Sequence, residues 1–543
     1  ATGEPSVGGA MRSAAAGGMA TNGPSARSGR GTRWRAATAR RVAEAAVVLH
    51  QPGTAARALA VLPGTDRHGS LVRAGLLAEE GHLAAAVRTA AQTPGTRARG
   101  LERRLRGETE VLRHRLLDEV LAAVPDRPPV LPGPGPRTVL HVVSNALPEV
   151  QAGYTLRTQG IAAAQAARGE RPHVVTRLGF PVDSGALAPA REVTVDGIPH
   201  HRLLPARPLP LPGREHQRRW AEELDAVVQA VRPSVLHAHS KHENAQAALM
   251  VGHRRRIPVV YEVRGLLEET WRSRRGGQGA DTDLYRWSRD AETRCMTAAA
   301  AVVTLAGTMR EEVVARGVDP HRVHVVPNCV PESFTVPLPA GGPVRARLGI
   351  PEGATVFGTV TTVNGYEGLD TLVAAAALLD DVVVLVVGDG PDLARVRDLA
   401  APLGPRAVFT GRVRHQQVRE HLAAMDVFCV PRRATPVTVL VPPLKPLEAM
   451  AAGLPVLASD LPPLVETVQP GRFGQVAAPD DAAAWAERMS ALRYAPDDVR
   501  TMGEHARAWV SEHRTWAVAA DRYDAVYTQV MGTGFPDGRT DGH

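Results

Sequence analysis

Lysine is almost absent from this 543-residue chain: Lys241 and Lys445 are its only lysines among 64 basic side chains, and the others are arginine. Cysteine is also scarce. Cys295, Cys329 and Cys429 lie far apart without a C-x-x-C spacing, which argues against a disulfide framework and a cysteine metal site. No apolar run approaches the roughly 20 residues that span a bilayer. These absences predict a soluble protein with reduced thiols in the cytoplasm.

The charge balance is basic, with a net charge of +8 and a pI of about 9.9, which favours anionic partners. Residues 1–35 are rich in Gly, Ala, Ser and Arg, and we expect a disordered basic tail there. Such a tail predicts at most a peripheral contact with membranes, and a solvated tail without a function is the simpler expectation. We expect no nucleic-acid partner.

The first part of the chain has a helical pattern. Residues 36–125 are rich in Ala, Leu and Arg, follow a helical period and contain no strand-like runs. They predict a helical extension, either of short repeat-like helix pairs or of a plain bundle. The stretch "DRPPVLPGPGPR" predicts a Pro-rich linker over 126–137.

Beyond the linker, short apolar runs alternate with amphipathic helices. The runs "TVLHVVSN", "SVLHAHS" and "IPVVYEV" are typical of parallel strands with both faces covered, and they predict a Rossmann-like acceptor domain over 138–335. A Pro/Gly linker at 336–345 separates it from the same pattern in 346–512, the predicted donor domain. Residues 513–533 predict one closing helix, and 534–543 a tail. The predicted fold class is therefore α/β, with two parallel-sheet domains facing a cleft behind an all-helical extension.

Three loops that follow predicted strands of the second sheet suggest an anion site. Gly365 and Gly368 flank the start of one helix, and Gly388 opens another. Helix starts expose unpaired N–H groups that suit phosphate, although many such turns need glycine only to reverse the chain. The third loop, "PPLKPLEAMAAG", places Lys445 near a helix start and Glu448 one turn later. A carboxylate in that place can accept hydrogen bonds from a ribose diol.

Several motifs together resemble the family-4 retaining glycosyltransferases, which have the GT-B fold. "VVVLVVGDGP", "VFTGRV", "VREHLAAMDVFCVPR" and "PLEAMAAGLPVLASD" occur in that family's order and spacing, after "GYTLRTQGIAAAQAARG" and "PVVYEVRG". The similarity covers about residues 137–533. It implies a nucleotide-sugar donor, most often a UDP-sugar, an unidentified acceptor, and neither a metal nor another obligatory cofactor.

The resemblance also assigns donor-side residues. Glu448 matches the glutamate that contacts the donor ribose, and Arg412 with the backbone of Gly411 and Val413 falls where the nucleobase is held. Gly153 lies in the loop that approaches the donor phosphate. The remaining donor-side residues that it suggests are Tyr154, Gly365, Gly388, Arg432 and Leu447.

The chain departs from the family pattern at three of its charged positions. Leu440 stands where the first motif glutamate is usual, and Thr362 and Glu367 stand where an Arg and a Lys commonly hold the diphosphate. We therefore expect Lys445, with Arg432 or Arg433, to supply the missing positive charge. The alternative is that Lys445 is incidental.

On the first sheet, the resemblance places Glu262, Arg264 and His239 near the reacting sugar. Glu262 is either a base for a demanding acceptor or half of a buried ion pair with Arg264. The suggested acceptor-side residues are Arg157, His242 and Asn244. The H-x-H spacing before His239 also raises a metal site, but without nearby carboxylates we expect substrate or packing histidines and no metal.

The leading hypothesis is a retaining, nucleotide-sugar-dependent glycosyltransferase that acts on a glycan, a small molecule or a specialised metabolite. One alternative is an S-glycosyl-forming or pseudo-glycosyl coupling enzyme, or an epimerase, on the same fold. Another is a scaffold that binds nucleotide sugars with little catalysis. The helical extension suggests a protein partner or self-association, and the Ala/Arg/Gly/Pro bias suggests a GC-rich, actinobacterial-like genome.

Overall fold

The structure is a computed structural model. It describes residues 36–45, 52–62, 66–204, 209–414 and 417–532. The predicted tails at 1–35 and 534–543 lie outside the described residues. The chain divides into two compact units: one runs to Glu80 and resumes at Ala85–Arg99, and the other contains Gly81–Ala84 and the chain from Gly100 onward.

The predicted helical extension is helical throughout its described residues, without a strand in them. Its helices are 36–45 (α1), Pro52–Ala60 (α2), Arg67–Glu79 (α3), Leu83–Gln92 (α4), Thr96–Leu112 (α5) and Arg115–Ala122 (α6). Small alanines let α1 and α2 pack closely around Leu59 and Leu62. The last helix belongs to the second unit, because Leu116, Leu117 and Val120 are part of the core of the first sheet. That unit therefore begins before the predicted linker, within the stretch predicted as an extension.

The first sheet has eight strands in the order β3-β4-β2-β1-β5-β6-β7-β8. The strands are Thr138–Val143 (β1), Arg171–Thr176 (β2), Glu192–Val195 (β3), Ile198–His201 (β4), Val235–His239 (β5), Val259–Glu262 (β6), Ala301–Thr304 (β7) and Val323–Val325 (β8). The helices around them are Gly153–Ala167 (α7), Arg214–Val231 (α8), His242–Arg255 (α9), Leu267–Arg274 (α10), Asp283–Ala298 (α11) and Gly307–Ala315 (α12). All pairings are parallel except β3 with β4. All six residues of β1 are buried, as its continuous apolar sequence predicts.

The second sheet has six parallel strands in the order β11-β10-β9-β12-β13-β14. The strands are Thr355–Val360 (β9), Val382–Val387 (β10), Ala407–Gly411 (β11), Val427–Val430 (β12), Val456–Ser459 (β13) and Gly474–Ala477 (β14). The helices are Gly342–Arg347 (α13), Leu369–Ala377 (α14), Leu393–Ala400 (α15), Val418–Leu422 (α16), Lys445–Ala451 (α17), Pro462–Val468 (α18), Ala482–Arg493 (α19), Pro496–His513 (α20) and Trp516–Gly532 (α21). Helix α13 begins inside the stretch predicted as a linker.

The closing helix α21 returns to the first sheet. Tyr523 and Tyr527 are fully buried there in a cluster with residues of β1, β5, β6 and β7, and α21 packs beside α7. No helix in the described part of the chain is long and apolar enough to cross a membrane. The predicted arrangement of two doubly wound parallel sheets is confirmed, and it sets the carboxyl ends of the strands as the place to look for a ligand.

Candidate functional site

Loops at the carboxyl edge of the second sheet approach one another closely. Gly388 follows β10 with φ of 144°, and a Cβ there would lie 1.8 Å from the carbonyl oxygen of Thr361. The amide of Gly388 donates to the carbonyl of Gly411 over 3.0 Å. Glycine at position 388 therefore lets the loops after β9, β10 and β11 lie side by side.

The predicted phosphate loop between β9 and α14 is fixed at one end. Gly368 has φ of 66°, and a Cβ there would lie 1.9 Å from the carbonyl oxygen of Pro431, just after β12. Gly365 is less constrained, because a Cβ at that position would meet only a carboxylate oxygen of Asp392, 3.3 Å away. Gly368 is thus needed for packing, whereas Gly365 leaves the surface of the loop open.

The predicted nucleobase segment divides into an accessible and a buried part. Arg412 is exposed, with its side chain in solvent beside the end of β11. Val413 packs partly against the core of the second sheet, and Gly411 turns the chain with φ of 70°. Contact of Arg412 and of the segment's backbone with a base stays a prediction.

Lys445 and Glu448 form an ion pair at the start of α17. Lys445 Nζ lies 2.8 Å from Glu448 Oε2. The lysine side chain is 39 % exposed and that of the glutamate 8 %. The pair therefore presents its ammonium group to solvent with the carboxylate behind it.

The other predicted cations of the donor side are also paired. Arg432 donates to both carboxylate oxygens of Glu367, the shorter bond being 2.8 Å. Arg433 pairs with Asp370 and, at 3.2 Å, with Asp480. Glu367, which replaces a usual cation of the family, is thus neutralised by Arg432 rather than left facing a phosphate. We call Lys445–Glu448 and Arg432–Glu367 the donor-side pairs.

Two leucines of this region have roles that differ from the predicted ones. Leu447 is 3 % exposed within the core of the second sheet, so its side chain cannot contact the donor, and that prediction is corrected. Leu440, in the place of the first motif glutamate, packs against the core of the first sheet. Its carbonyl accepts a hydrogen bond from Thr308 Oγ1 over 2.8 Å. Position 440 is therefore an interdomain contact.

On the first sheet, the loop after β1 leads to the exposed Gly153 and the half-buried Tyr154. The Tyr154 hydroxyl accepts from the amide of Ser144 over 3.2 Å. The Arg264 guanidinium lies over the tyrosine ring, 4.8 Å from its centroid. These contacts hold the start of α7 at the cleft, where the sequence predicts a donor phosphate.

Glu262 and Arg264, predicted as catalytic, lie in a buried network. Glu262 is fully buried and accepts from Arg157 over 2.8 Å, from Arg264 over 2.7 Å and from the Tyr523 hydroxyl over 2.6 Å. Burial acts to raise the pKa of Glu262, but the charges of Arg157 and Arg264 hold that pKa well below its usual range. A carboxylate enclosed in this way is not a base for an acceptor, so the ion-pair alternative is the one that the structure supports.

The network continues as a path of hydrogen bonds that links His239, His141, Gln165, Tyr527 and His237. Arg264 donates to His239 Nδ1 over 2.6 Å, so His239 Nε2 carries the proton that is donated to His141 Nδ1 over 2.9 Å. His141 donates to Gln165 Oε1 over 2.8 Å. Both ring nitrogens of His239 therefore have internal partners, and its catalytic role stays a prediction.

The second half of the path returns to the glutamate. Gln165 donates to the Tyr527 hydroxyl over 3.0 Å, which donates to His237 Nδ1 over 2.7 Å. His237 Nε2 lies 3.2 Å from Glu262 Oε2. Burial lowers the pKa of His141 to about 3, and it also lowers the pKa values of His237 and His239. We call the path, with Arg157 and Tyr523, the buried network.

The same three histidines have the spacing of a metal site. The ligand atoms of His141, His237 and His239 lie within 4.8 Å of one another. Two guanidinium groups flank them, however, and the hydrogen bonds above already use ring nitrogens of all three. The geometry favours the hydrogen-bonded network over a bound cation.

The three predicted acceptor-side residues also point inward. Arg157 is 4 % exposed, His242 7 % and Asn244 0 %. The amide of His242 donates to Glu292 Oε1 over 3.0 Å, and Asn244 Nδ2 donates to the carbonyl of His239 over 2.7 Å. The contacts of these three residues are within the domain, and their contact with an acceptor stays a prediction.

A cavity of about 680 Å³ adjoins the donor side. It lies between α7, the segment that joins the two sheet domains and the start of α21, and it reaches Glu448. Leu156, Gly160, Phe334 and Trp516 give it a mostly apolar wall. Its size is within the range of small-molecule sites, and its position beside Glu448 suits part of a nucleotide sugar.

Two polar groups at the carboxyl edge of the first sheet were missed from the sequence. Lys241 follows β5, is 43 % exposed and pairs with Glu243 over 2.6 Å. Asn145 follows β1, and its buried Oδ1 has no hydrogen-bond partner in the described part of the chain. The rarity of lysine was a signal for Lys241 as much as for Lys445. Nothing in the sequence indicated a functional role for Asn145.

Two family models match this chain. A glycosyl transferase 4-like domain matches residues 152–329, and a glycosyl transferases group 1 domain matches residues 354–493. The two matched ranges correspond to the two sheets and to the loops described above.

Curated relatives agree with these matches. The α-maltose-1-phosphate synthase of Mycolicibacterium smegmatis is 28 % identical over 57 % of this chain and 82 % of its own length. A GDP-mannose-dependent α-(1-6)-phosphatidylinositol monomannoside mannosyltransferase of Mycobacterium tuberculosis is 32 % identical over 33 % of this chain and 48 % of its own. The D-inositol 3-phosphate glycosyltransferase of Streptomyces scabiei is 31 % identical over 39 % and 50 %.

Solved structures show the same fold. Sucrose-phosphate synthase from Thermosynechococcus elongatus has a TM-score of 0.60 at 21 % identity, covering 73 % of this chain and all of that one. Anabaena HepE in complex with UDP has a TM-score of 0.56 at 16 % identity and covers 72 % of this chain and all of its own. The chain therefore belongs to the group 1, family-4 glycosyltransferases, retaining enzymes of the GT-B fold that transfer a sugar from a nucleotide-sugar donor.

Proposed function

We propose that the enzyme uses a UDP-sugar, with Glu448 on the ribose and Lys445 on the diphosphate. The observation that carries this proposal is the ion pair between Lys445 and Glu448 at the edge of the second sheet. One carboxylate and one ammonium lie within the span of a ribose and its diphosphate. Each group of the pair suits a different part of the same ligand.

In this scheme the donor does not enter a site with free positive charge. The cations of the site leave their carboxylate partners and pair with the donor instead. The diphosphate takes Lys445 and Arg432 from Glu448 and Glu367, and the ribose hydroxyls then donate to the released Glu448. Glu367 lies 3.3 Å or less from Arg432, so it stays close as a counter-charge. Negative charge develops on the leaving diphosphate as its bond to the sugar breaks, and Lys445 and Arg432 stabilise that charge electrostatically.

The proton of the acceptor is assigned to the leaving phosphate. Retention requires the acceptor to attack from the face that the diphosphate leaves, so the departing oxygen is within reach of that proton. Glu262 is excluded as the base because its carboxylate is buried and already accepts three hydrogen bonds. The chain's residues then position the two substrates and stabilise charge, without a nucleophile of their own.

For the acceptor we propose a hydroxyl compound that carries an anionic group. The names of the relatives quoted above each include a phosphate or a phosphatidyl group. Lys241, half exposed at the end of β5, and the exposed Arg274 on α10 border the first-sheet side of the cleft. Ser273 beside that arginine accepts from the amide of Val437 over 2.9 Å, which brings α10 to the second sheet domain.

A thermal-shift panel of UDP-, GDP-, ADP- and TDP-sugars tests the donor. A ligand at 100 times its Kd adds about 2.7 kcal/mol to the free energy of unfolding, and a weaker ligand at the same concentration adds less. We expect the UDP-sugar to bind most tightly and therefore to raise the melting temperature most. A larger shift with a GDP- or ADP-sugar would reassign the nucleotide. No shift with any sugar nucleotide would contradict the proposed donor site, whereas a shift without sugar transfer would favour the scaffold alternative.

The acceptor is tested by nucleotide release. With the donor fixed, we expect sugar phosphates and inositol phosphates to accelerate release, and their dephosphorylated forms to act weakly. Equal rates with both forms would remove the anionic group from the proposal, and a preference for thiols would support the S-glycosyl alternative.

A further inference from the structure

The chain passes between the two sheet domains twice, and the two crossings lie side by side. The first follows β8 and passes through Val330, and the second joins α20 to α21 through Arg514 and Thr515. The amide of Val330 donates to the carbonyl of Arg514 over 3.0 Å, and Val330 bridges Thr515 in a parallel arrangement. Any change in the angle between the domains has to bend the chain here.

Arg157, on α7, holds the first crossing directly. Its Nη2 donates to the carbonyl of Val326 over 2.8 Å, and its Nη1 donates to the carbonyl of Pro327 over 2.9 Å. Nη1 also lies 3.3 Å from Asn328 Oδ1. One guanidinium thus binds three successive residues at the point where the chain leaves the first sheet.

The same guanidinium holds the second crossing through α21. Nη2 donates to the Tyr523 hydroxyl over 2.9 Å, and Nε donates to Glu262 over 2.8 Å. The Tyr523 hydroxyl in turn donates to Glu262 over 2.6 Å. Arg157, Tyr523 and Glu262 are therefore each bonded to the other two. Through them α7 is connected to the first crossing, to α21 beyond the second crossing and to the end of β6.

The start of α21 rests on α7 one turn after Arg157. A Cβ at Gly160 would lie 2.4 Å from the indole of Trp516, so only glycine admits this ring. The Arg157 guanidinium lies 5.7 Å from the Trp516 ring centroid. This contact is independent of the hydrogen bonds and fixes the second crossing to the same helix.

We propose that Arg157 is a positioning residue that clamps both interdomain crossings to α7, so that the domains close about a pivot fixed relative to the donor loop at Gly153. Helix α7 runs from that loop to the clamp, which makes it the connection between the pivot and the donor. Glu262 and Tyr523 hold Arg157 in place and act through it. The clamp itself rests on contacts within the protein, and only its effect on turnover rests on the proposed donor.

Two matched variants test the clamp. Tyr523→Phe and Tyr527→Phe each remove one hydroxyl from a fully buried ring on α21, four residues apart. Only Tyr523 bonds to Arg157, whereas the Tyr527 hydroxyl bonds to Gln165 and His237. A third variant, Arg157→Lys, keeps the positive charge and loses the planar group that spans the crossing.

The first readout is hydrogen exchange of the full-length protein without ligand. We expect the amide of Val330 to exchange at least tenfold faster in Tyr523→Phe and Arg157→Lys than in the wild type, and to change less than twofold in Tyr527→Phe. Equal exchange rates of the Val330 amide in the two tyrosine variants would overturn the clamp. The loss of any buried hydroxyl from α21 would then explain the faster exchange, without a role for Arg157.

The second readout is kinetic, at a temperature well below the melting temperature of every variant. We expect the Kd for UDP to stay within twofold of the wild type, because most of the proposed nucleotide contacts lie on the second sheet and none of them is made by Arg157 or Tyr523. Turnover of UDP-glucose by hydrolysis should fall at least fivefold in Tyr523→Phe and Arg157→Lys but not in Tyr527→Phe. Equal turnover in both tyrosine variants would reject the positioning role. Failure of the wild type to bind UDP would reject the donor assignment, and hydrogen exchange alone would then decide on the clamp.

Discussion

The two sheet domains use charged side chains in opposite ways at their facing edges. On the first sheet, Glu262, Arg157 and Arg264 are buried and bonded to one another. On the second, Lys445 belongs to a partly exposed ion pair, and Arg432 belongs to a more enclosed one whose side chains are 14 % and 10 % exposed. A buried and fully bonded charge is costly to disturb, whereas a partly exposed pair exchanges partners readily. The first edge therefore holds its charges in fixed positions, and the second edge is where we propose that the ligand binds.

The largest expected effect is on stability, from Glu262→Gln in the buried network. The change leaves Arg157 and Arg264 without their counter-charge, and breaking a buried pair costs about 3–5 kcal/mol. Denaturant unfolding measures the loss. As a control, Glu119→Gln removes an exposed partner of Arg214 and should leave the unfolding midpoint unchanged. A similar small change in both variants would contradict the stabilising role of the buried charges.

Next in size is the effect of Lys445→Ala on turnover. Loss of one charge that stabilises the leaving group lowers kcat by about 100-fold, while the melting temperature stays close to that of the wild type. Steady-state rates with saturating donor measure it. Lys445→Arg should restore part of the rate, and unchanged kinetics in Lys445→Ala would make this lysine incidental.

Glu448→Ala is expected to act on donor affinity. A hydrogen bond to a charged group contributes about 1.5–3 kcal/mol, so the Kd for the nucleotide rises by roughly one to two orders of magnitude. Titration calorimetry with UDP measures the change. Glu487→Ala, at an exposed position on α19, is the matched control and should bind normally. Equal affinity of the two variants would remove the ribose assignment.

Acid should weaken the first domain through its neutral histidines. The pKa of His141 is lowered to about 3 from the ordinary 6.5, so between these pH values the unfolded chain binds a proton that the folded chain does not. Stability is therefore full above pH 6.5 and falls as the pH drops, by about 1.4 kcal/mol for such a histidine at pH 5.5. Denaturant unfolding from pH 7.5 to 5.5 measures the slope. His141→Gln should make it shallower, and an identical slope would contradict the neutral ring.

The smallest effect is expected from Leu440→Glu, which restores the family's first motif glutamate. Because Leu440 packs against the core of the first sheet, a carboxylate there weakens the interdomain contact and adds no activity. Turnover and melting temperature together check this. A gain in turnover would show that position 440 reaches the donor after all.

The fold was readable from the sequence, and the donor-side loops were partly so. Continuous apolar runs such as β10 have one physical solution, a strand buried on both faces, and the glycines at 368 and 388 mark close backbone approaches. The side-chain roles on the first sheet were not readable in the same way. Glu262 does end a strand at the cleft, but its partner Tyr523 comes from α21, 261 residues later, and nothing local in the sequence signals that pairing. His239 ends the neighbouring strand, and its ring bonds to Arg264 and His141.

Lys445 also shows that the sequence did not predict contacts between side chains. Rarity singled out this residue, and the structure leaves its side chain 39 % exposed. The pairing with Glu448 was compatible with the spacing of three residues on a helix, yet the sequence assigned each residue to a separate part of the ligand. Sequence patterns place residues well and predict their mutual contacts less well.

The pairing of Lys445 with Glu448 has a consequence for selectivity against common cellular anions. Inorganic phosphate or sulfate can attract the ammonium group only by leaving a carboxylate unsatisfied, because neither anion offers a hydroxyl pair in return. A sugar nucleotide compensates both halves of the opened pair at once. Under the proposed donor assignment, the resting enzyme is thereby screened from abundant simple anions and recognises two chemical groups at a fixed separation.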